Sequence, residues 1–317
     1  MDRIVLGLSY NQPQLCADAT WLGNASTLVS SAVLGLLPVA VFIDGINNIY
    51  APSRVSNAIL VWSQWGTQIR SISANFNRSF SVFVSMNGDV YFDDGLANRR
   101  VSRSPFNTST TTTAMNVNGS CYGLFVDLNN SLYCSLRDFH QVVKMLLNNG
   151  TTIPAVAAGT GVPGSASNML NAQQGIYVDN YLNLYIADCG NNRIQLYQSG
   201  QTNGMTVAGN GALGTISLNC PTGVVLDFDG YLFIVDSNNH RIVGSSFYGY
   251  QCLVGCSGGG TTLSQLSFPQ SMAFDSYGNF YVTDRNNSRI QMFSLQRTNC
   301  CKLFSMIIIR NSHIWFA

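Results

Sequence analysis

The stretch "NFYVTDRNNSRIQMF" (residues 279–293) sets an acid, an amide and a guanidinium, Asp284, Asn287 and Arg289, between two apolar runs. Such a trio could orient a substrate, hold an anion or join a metal site. Five more acids, Asp44, Asp127, Asp179, Asp227 and Asp275, each close a short apolar run. Converging runs would gather those carboxylates into a ring suited to a cation. Of the histidines, His140 and His240 sit in polar turns and His313 lies close to the last residue. No P-loop occurs, since "GCSGGG" at 255–260 lacks the lysine that phosphate cradling requires. Nothing assigns a catalytic nucleophile.

A catalytic constellation occurs once, whereas a building element recurs, and this pattern recurs. "GIYVDNYLNLYIADCGNNRIQLY" from Gly175, "GVVLDFDGYLFIVDSNNHRIVG" from Gly223 and "SMAFDSYGNFYVTDRNNSRIQMF" from Ser271 are one unit, preceded by weaker copies from Ala40, Ser81 and Gly123. The residue closing the first apolar run of each copy, Asp44, Ser85, Asp127, Asp179, Asp227 or Asp275, serves as a ruler, with spacings of 41, 42, 52, 48 and 48. Four positions before each mark the residue is small: Ala40, Ser81, Gly123, Gly175, Gly223 or Ser271. That smallness predicts close approach of another backbone. Turn chemistry such as "DSYGN" then joins two runs into a hairpin, and a third and fourth run follow. Four short strands repeated six times predict an all-β fold, a six-bladed β-propeller of four-stranded antiparallel blades.

The elements "GI-VD", "LYIAD" and "NNRIQ" in the last three copies resemble the NHL-repeat family over about residues 14–294, and the first three copies are degenerate. The resemblance implies the same six-bladed propeller. It also extends to propeller enzymes, amidating lyases and lactonase-like hydrolases, that hold a metal in the central channel.

Nine residues after the marks stand Ser53, Asp94, Leu136, Asp188, Asp236 and Asp284; fourteen after stand Ala58, Arg99, Gln141, Arg193, Arg241 and Arg289. Asp and Arg are present together or lost together. Joint loss is what an ion pair predicts, because removing one partner of a semi-buried pair costs roughly 3–5 kcal/mol while replacing both is nearly neutral. The expected pairs are Asp94–Arg99, Asp188–Arg193, Asp236–Arg241 and Asp284–Arg289, each bracing the turn between second and third strands. Asn191, Asn239 and Asn287 are expected in those turns in left-handed geometry or bonded to local backbone. The five mark acids read as openers of the hairpin turns, with a cation ring at the channel mouth as the alternative.

"ATWLGNAS" stands where a fourth strand should precede Asp44, so residues 15–23 are expected to supply the outer strand of the sixth blade and close the ring. Residues 1–13 are then an N-terminal extension, 14–296 the propeller and 297–317 a poorly ordered tail.

Composition fits an all-β chain: 46% hydrophobic, 10% charged, with no Glu and only Lys144 and Lys302 as lysines. The net charge of +1 gives no basic field for nucleic acid, and the cluster Arg99, Arg100 and Arg103 reads as a solvated loop. The nine cysteines show no zinc-finger spacing. Cys121 and Cys134 flank one hairpin, and Cys252 and Cys256 are close in sequence. Sequons at Asn24, Asn77, Asn107, Asn118, Asn129, Asn149 and Asn286 favour a secreted or cell-surface glycoprotein. The start "MDRIVLGLSY" has an apolar run too short for a signal peptide, which leaves a cytoplasmic location as the alternative. No run reaches the roughly 20 apolar residues of a membrane helix. The expected function is a non-enzymatic, monomeric scaffold without cofactor, offering a recognition surface to protein or glycan. A metal-dependent lyase or hydrolase is the alternative and an RNA-binding module the third.

Overall fold

The computed structural model of the chain describes residues 8–64, 67–73, 79–108 and 110–296. The expected tail 297–317, Asn77 and His313 lie outside the described residues. Six four-stranded antiparallel sheets form among the residues described. Blade one comprises Phe42–Ile43, Ile49–Ser53, Ala58–Trp62 and Gln68–Ser73. Blade two comprises Val82–Val84, Val90–Asp93, Arg100–Ser104 and Thr112–Asn116, and blade three Cys121–Val126, Ser131–Leu136, Gln141–Leu146 and Ala155–Ala158. Blade four is Ile176–Val178, Leu184–Asp188, Arg193–Tyr197 and Met205–Gly209; blade five is Pro221–Leu226, Leu232–Asp236, Arg241–Ser246 and Gly249–Val254. In blade six Met272–Phe274, Phe280–Asp284 and Arg289–Phe293 are completed by the distant Ser26–Val29.

Burial follows from this order. Second strands such as Leu232–Asp236 and Phe280–Asp284 are buried at every residue, because each sheet lies between two others and both of its faces are covered. Their β-branched and aromatic content suits that position. Outer strands such as Ala155–Ala158 and Gly249–Val254 are largely open to solvent and buried only at their last residue. The inner strands run so close that the Gly175 amide donates to the Thr222 carbonyl of the next blade at 2.9 Å. A Cβ on Gly175 would stand 2.6 Å from that oxygen, which explains the small residue four before each mark.

The N-terminal strand that closes the ring is Ser26–Val29, with Ser26 opposite Met292 and Val29 opposite Ile290. The expected span of 15–23 is therefore displaced. From the end of this outer strand to the next mark is 15 residues (29 to 44), against 21, 18 and 21 from the outer strands of blades three, four and five, so a ruler taken from those blades overshoots toward the N-terminus. Residues 15–23 do other work. Thr20–Trp21 pairs with Leu295–Gln296, and the Trp21 indole N–H donates to the Gly278 carbonyl at 2.8 Å while its ring packs on Phe280.

Disulfides join Cys121 to Cys134 across the inner hairpin of blade three and Cys252 to Cys256 beyond blade five. Cys189–Cys220, which no spacing suggested, ties a turn of blade four to the approach of blade five. No helix among the described residues is long and apolar enough to cross a membrane.

Candidate functional site

The ring has two ends. One carries the turns between second and third strands together with the loops that link blades, and the other carries the two hairpin turns of each blade. At the first end Arg193 Nε lies 2.8 Å from Asp188 Oδ2, Arg241 Nε 2.8 Å from Asp236 Oδ2, and Arg289 Nε 2.7 Å from Asp284 Oδ2. The other carboxylate oxygens accept backbone N–H groups from the incoming inter-blade loop, those of Asn171, Asn219 and Ser267. The guanidinium groups donate to carbonyls of the same loops, as Arg193 does to Ser165, Ala166 and Met169. Each pair thus fastens a loop to the blade that follows it.

Two details differ from the sequence reading. In blade two Asp94 is bonded by Arg100 rather than Arg99. The turn there is one residue longer, so Arg99 becomes its left-handed end at φ 49° and points away to solvent. Asn191, Asn239 and Asn287 donate to the brace carboxylates at 2.7–2.8 Å, and the left-handed residue is the next one, Asn192, His240 or Ser288. Blades without the pair use neutral ties. Ser53 Oγ donates to the Val33 carbonyl, and the Gln173 amide donates to the carbonyls of Leu136 and Gln141.

His140 and His240 are also in these turns, at φ 50° and 56°. Their Nδ1 atoms accept the backbone N–H of Ala172 and Phe268, each at 3.1 Å.

The five mark acids lie at the opposite end, separated by their own hairpins. Asp44 Oδ1 accepts the N–H groups of Ile46 and Asn48, while Oδ2 accepts the Asn48 amide and the Tyr50 hydroxyl at 3.0 Å. Asp179 and Asp275 repeat the arrangement with Asn183 and Tyr185, and with Asn279 and Tyr281. Asp127 repeats it with the Ser131 N–H and Tyr133. Asp227 has the Tyr231 N–H but Phe233 where the others place a tyrosine. Burial pushes its carboxyl up to about 6, with Asp229 adding to the rise and the Tyr231 N–H opposing it. No three histidine, cysteine or acidic residues among those described cluster as a metal site. The tyrosines six after the marks were legible in the sequence as a recurrence that was overlooked.

Two residues before each mark the inner strands present Phe42, Phe83, Phe125, Tyr177, Val225 and Ala273 to the central channel. The first four rings form a continuous arc with centroids 4.8–5.1 Å apart. Into that arc the N-terminal extension inserts Tyr10, 5.3 Å from Phe125 and 5.7 Å from Tyr177, with the two tyrosine hydroxyls 3.5 Å apart. Burial pushes the Tyr10 hydroxyl up to about 12. Asn11 donates to the carbonyls of Asp44 and Phe274, and Gln12 to that of Asp227, so the segment straps blades one, five and six together across the channel. What remains is an apolar cavity of about 120 Å³. Its rim toward the brace end carries the stacked pair Phe80 and Tyr122, and Gln270 bonded to Gln174. Arg137 lies over the Tyr122 ring at 5.1 Å. Nearby, burial raises the Asp93 carboxyl to about 7, although the N–H groups of Cys121 and Phe80 favour its charged form.

The NHL repeat model matches residues 218–244 and 266–293, the segments that contain Asp236–Arg241 and Asp284–Arg289. The chain is a six-bladed β-propeller with NHL repeats in blades five and six. Solved structures similar to this propeller include an auxiliary nutrient binding protein from Bacteroides ovatus, 15% identical with a TM-score of 0.66 over 92% of this chain and 76% of that one. They also include virginiamycin B lyase from Staphylococcus aureus, 12% identical with a TM-score of 0.59 over 86% of this chain and 99% of that one. A streptogramin B lyase is 14% identical, with a TM-score of 0.61 over 86% of this chain and 97% of that one. At these identities the NHL propeller shares their fold. No curated protein sequence matches it.

Proposed function

We propose that the NHL propeller is a non-enzymatic binding module that takes a protein or glycan partner on its exposed turns and loops. The observation that carries this reading is the engagement of its reactive groups. The acids and the two described histidines that the sequence offers for chemistry are bonded within turns and inter-blade loops, and Tyr10 fills the arc where a channel ligand would sit. The near-neutral charge speaks against RNA. Elemental analysis of the purified protein, paired with turnover assays on lactones and cyclic depsipeptides, tests it. A stoichiometric transition metal or measurable turnover overturns the non-enzymatic reading in favour of a lyase or hydrolase.

Three disulfides among the described residues and the exposure of all six described sequon asparagines support a secreted or cell-surface location. Peptide mapping under non-reducing conditions with glycan detection is expected to recover these crosslinked pairs and occupied sequons. Free thiols throughout would place the protein in the cytoplasm.

A further inference from the structure

The hairpin-turn end of the ring has an unusual surface. Tyr181 of blade four, Phe228, Phe247 and Tyr248 of blade five and Tyr277 of blade six lie on consecutive blades at turn tips, and they are 82%, 50%, 78%, 80% and 61% exposed. The described hairpin turns of blades one to three expose Ile46, Met86, Phe106 and Ile153 but a single aromatic ring, so open aromatic side chains concentrate on blades four to six, as at an interaction site. Among the described residues of the hairpin turns a single charged side chain is exposed, Asp229, and it accepts the Gln14 amide. The other exposed polar side chains of these turns are Asn, Gln, Ser and Thr. The sequons are distributed in the opposite sense: those in hairpin turns, Asn107, Asn129 and Asn149, belong to blades two and three. Asn24 lies where the chain approaches the outer edge of blade six and Asn286 in the brace turn at the opposite end, so the hairpin turns of blades four to six carry none.

We propose that this sector binds a neutral polysaccharide chain, a statement that rests on the reading of the propeller as a binding module. A protein partner carries about a quarter of its residues as charges, and most would be buried against hairpin turns whose one exposed charge among the described residues is Asp229. A neutral glycan offers only C–H faces and hydroxyls. The former pack on aromatic rings and the latter on amides, and separated platforms suit an extended chain better than they suit a compact, fully desolvated protein interface.

The test is native affinity electrophoresis of the full chain through gels containing mixed-linkage β-glucan, galactomannan or arabinoxylan, alongside cosedimentation with phosphatidylcholine vesicles. At least one gel is expected to retard the protein, with little change in high salt. Tyr181→Ala combined with Tyr277→Ala weakens the retardation by about tenfold or more while leaving Tm unchanged, and Tyr→Phe at both sites retains it. Passage through every gel, retardation that the alanine variant keeps, or binding to vesicles alone overturns the proposal while leaving the binding-module reading to its own metal and turnover tests. Retardation with release of reducing ends upholds the surface and overturns the non-enzymatic reading.

Discussion

The Asp284–Arg289 pair shows why an acid and a guanidinium at this spacing are construction in this protein. Asp284 is fully buried and collects the Ser267 N–H, the amides of Asn287 and Gln291 and the Arg289 guanidinium. Arg289→Ala leaves that carboxylate without its cation and is expected to cost roughly 3 kcal/mol in urea unfolding. Asp284→Ala combined with it should cost clearly less than the two single losses added together, and additivity would sink the coupling. The pairing was legible because both residue types vanish together in blades one and three. The switch from Arg99 to Arg100 was not, since it depends on a turn one residue longer whose length only the folded backbone fixes.

Among the strands, the steric demand lies where inner strands meet. Gly175→Val would drive a branched side chain into the Thr222 carbonyl and Gly223 Cα of blade five, 2.6 and 2.9 Å from the position of the first added carbon. We expect a loss of about 2 kcal/mol or more in chemical denaturation, since backbone on both sides gives way less readily than side chains. An unchanged midpoint would show that the inner strands spread to admit it. The run of small residues four before each mark announced this contact, but Tyr50, Tyr133, Tyr185 and Tyr281 on the mark acids went unnoticed. An aromatic in a strand reads first as packing, and its hydroxyl acquires a partner only when the hairpin folds back.

For the molecule as a whole, closure has two parts: a strand from near the N-terminus completing blade six, and the strap that seats Tyr10 in the channel. Tyr10→Ala is expected to destabilise the ring by about 2 kcal/mol, as for loss of a partly buried ring, with a lower Tm in calorimetry. An unchanged Tm would mean that the arc of Phe42, Phe83, Phe125 and Tyr177 holds without it. By itself the sequence determined the blade count, the strand pattern and the Asp and Arg pairs of blades four to six, because these repeat and a repeat encodes local turns and adjacent contacts. The tertiary structure alone decided which segment closes the ring, that Cys189 meets Cys220, that Tyr10 fills the channel and that five aromatic rings share one sector. Each of these joins residues far apart in the chain that occur once, so no periodicity announces them, and only packing in three dimensions brings them together.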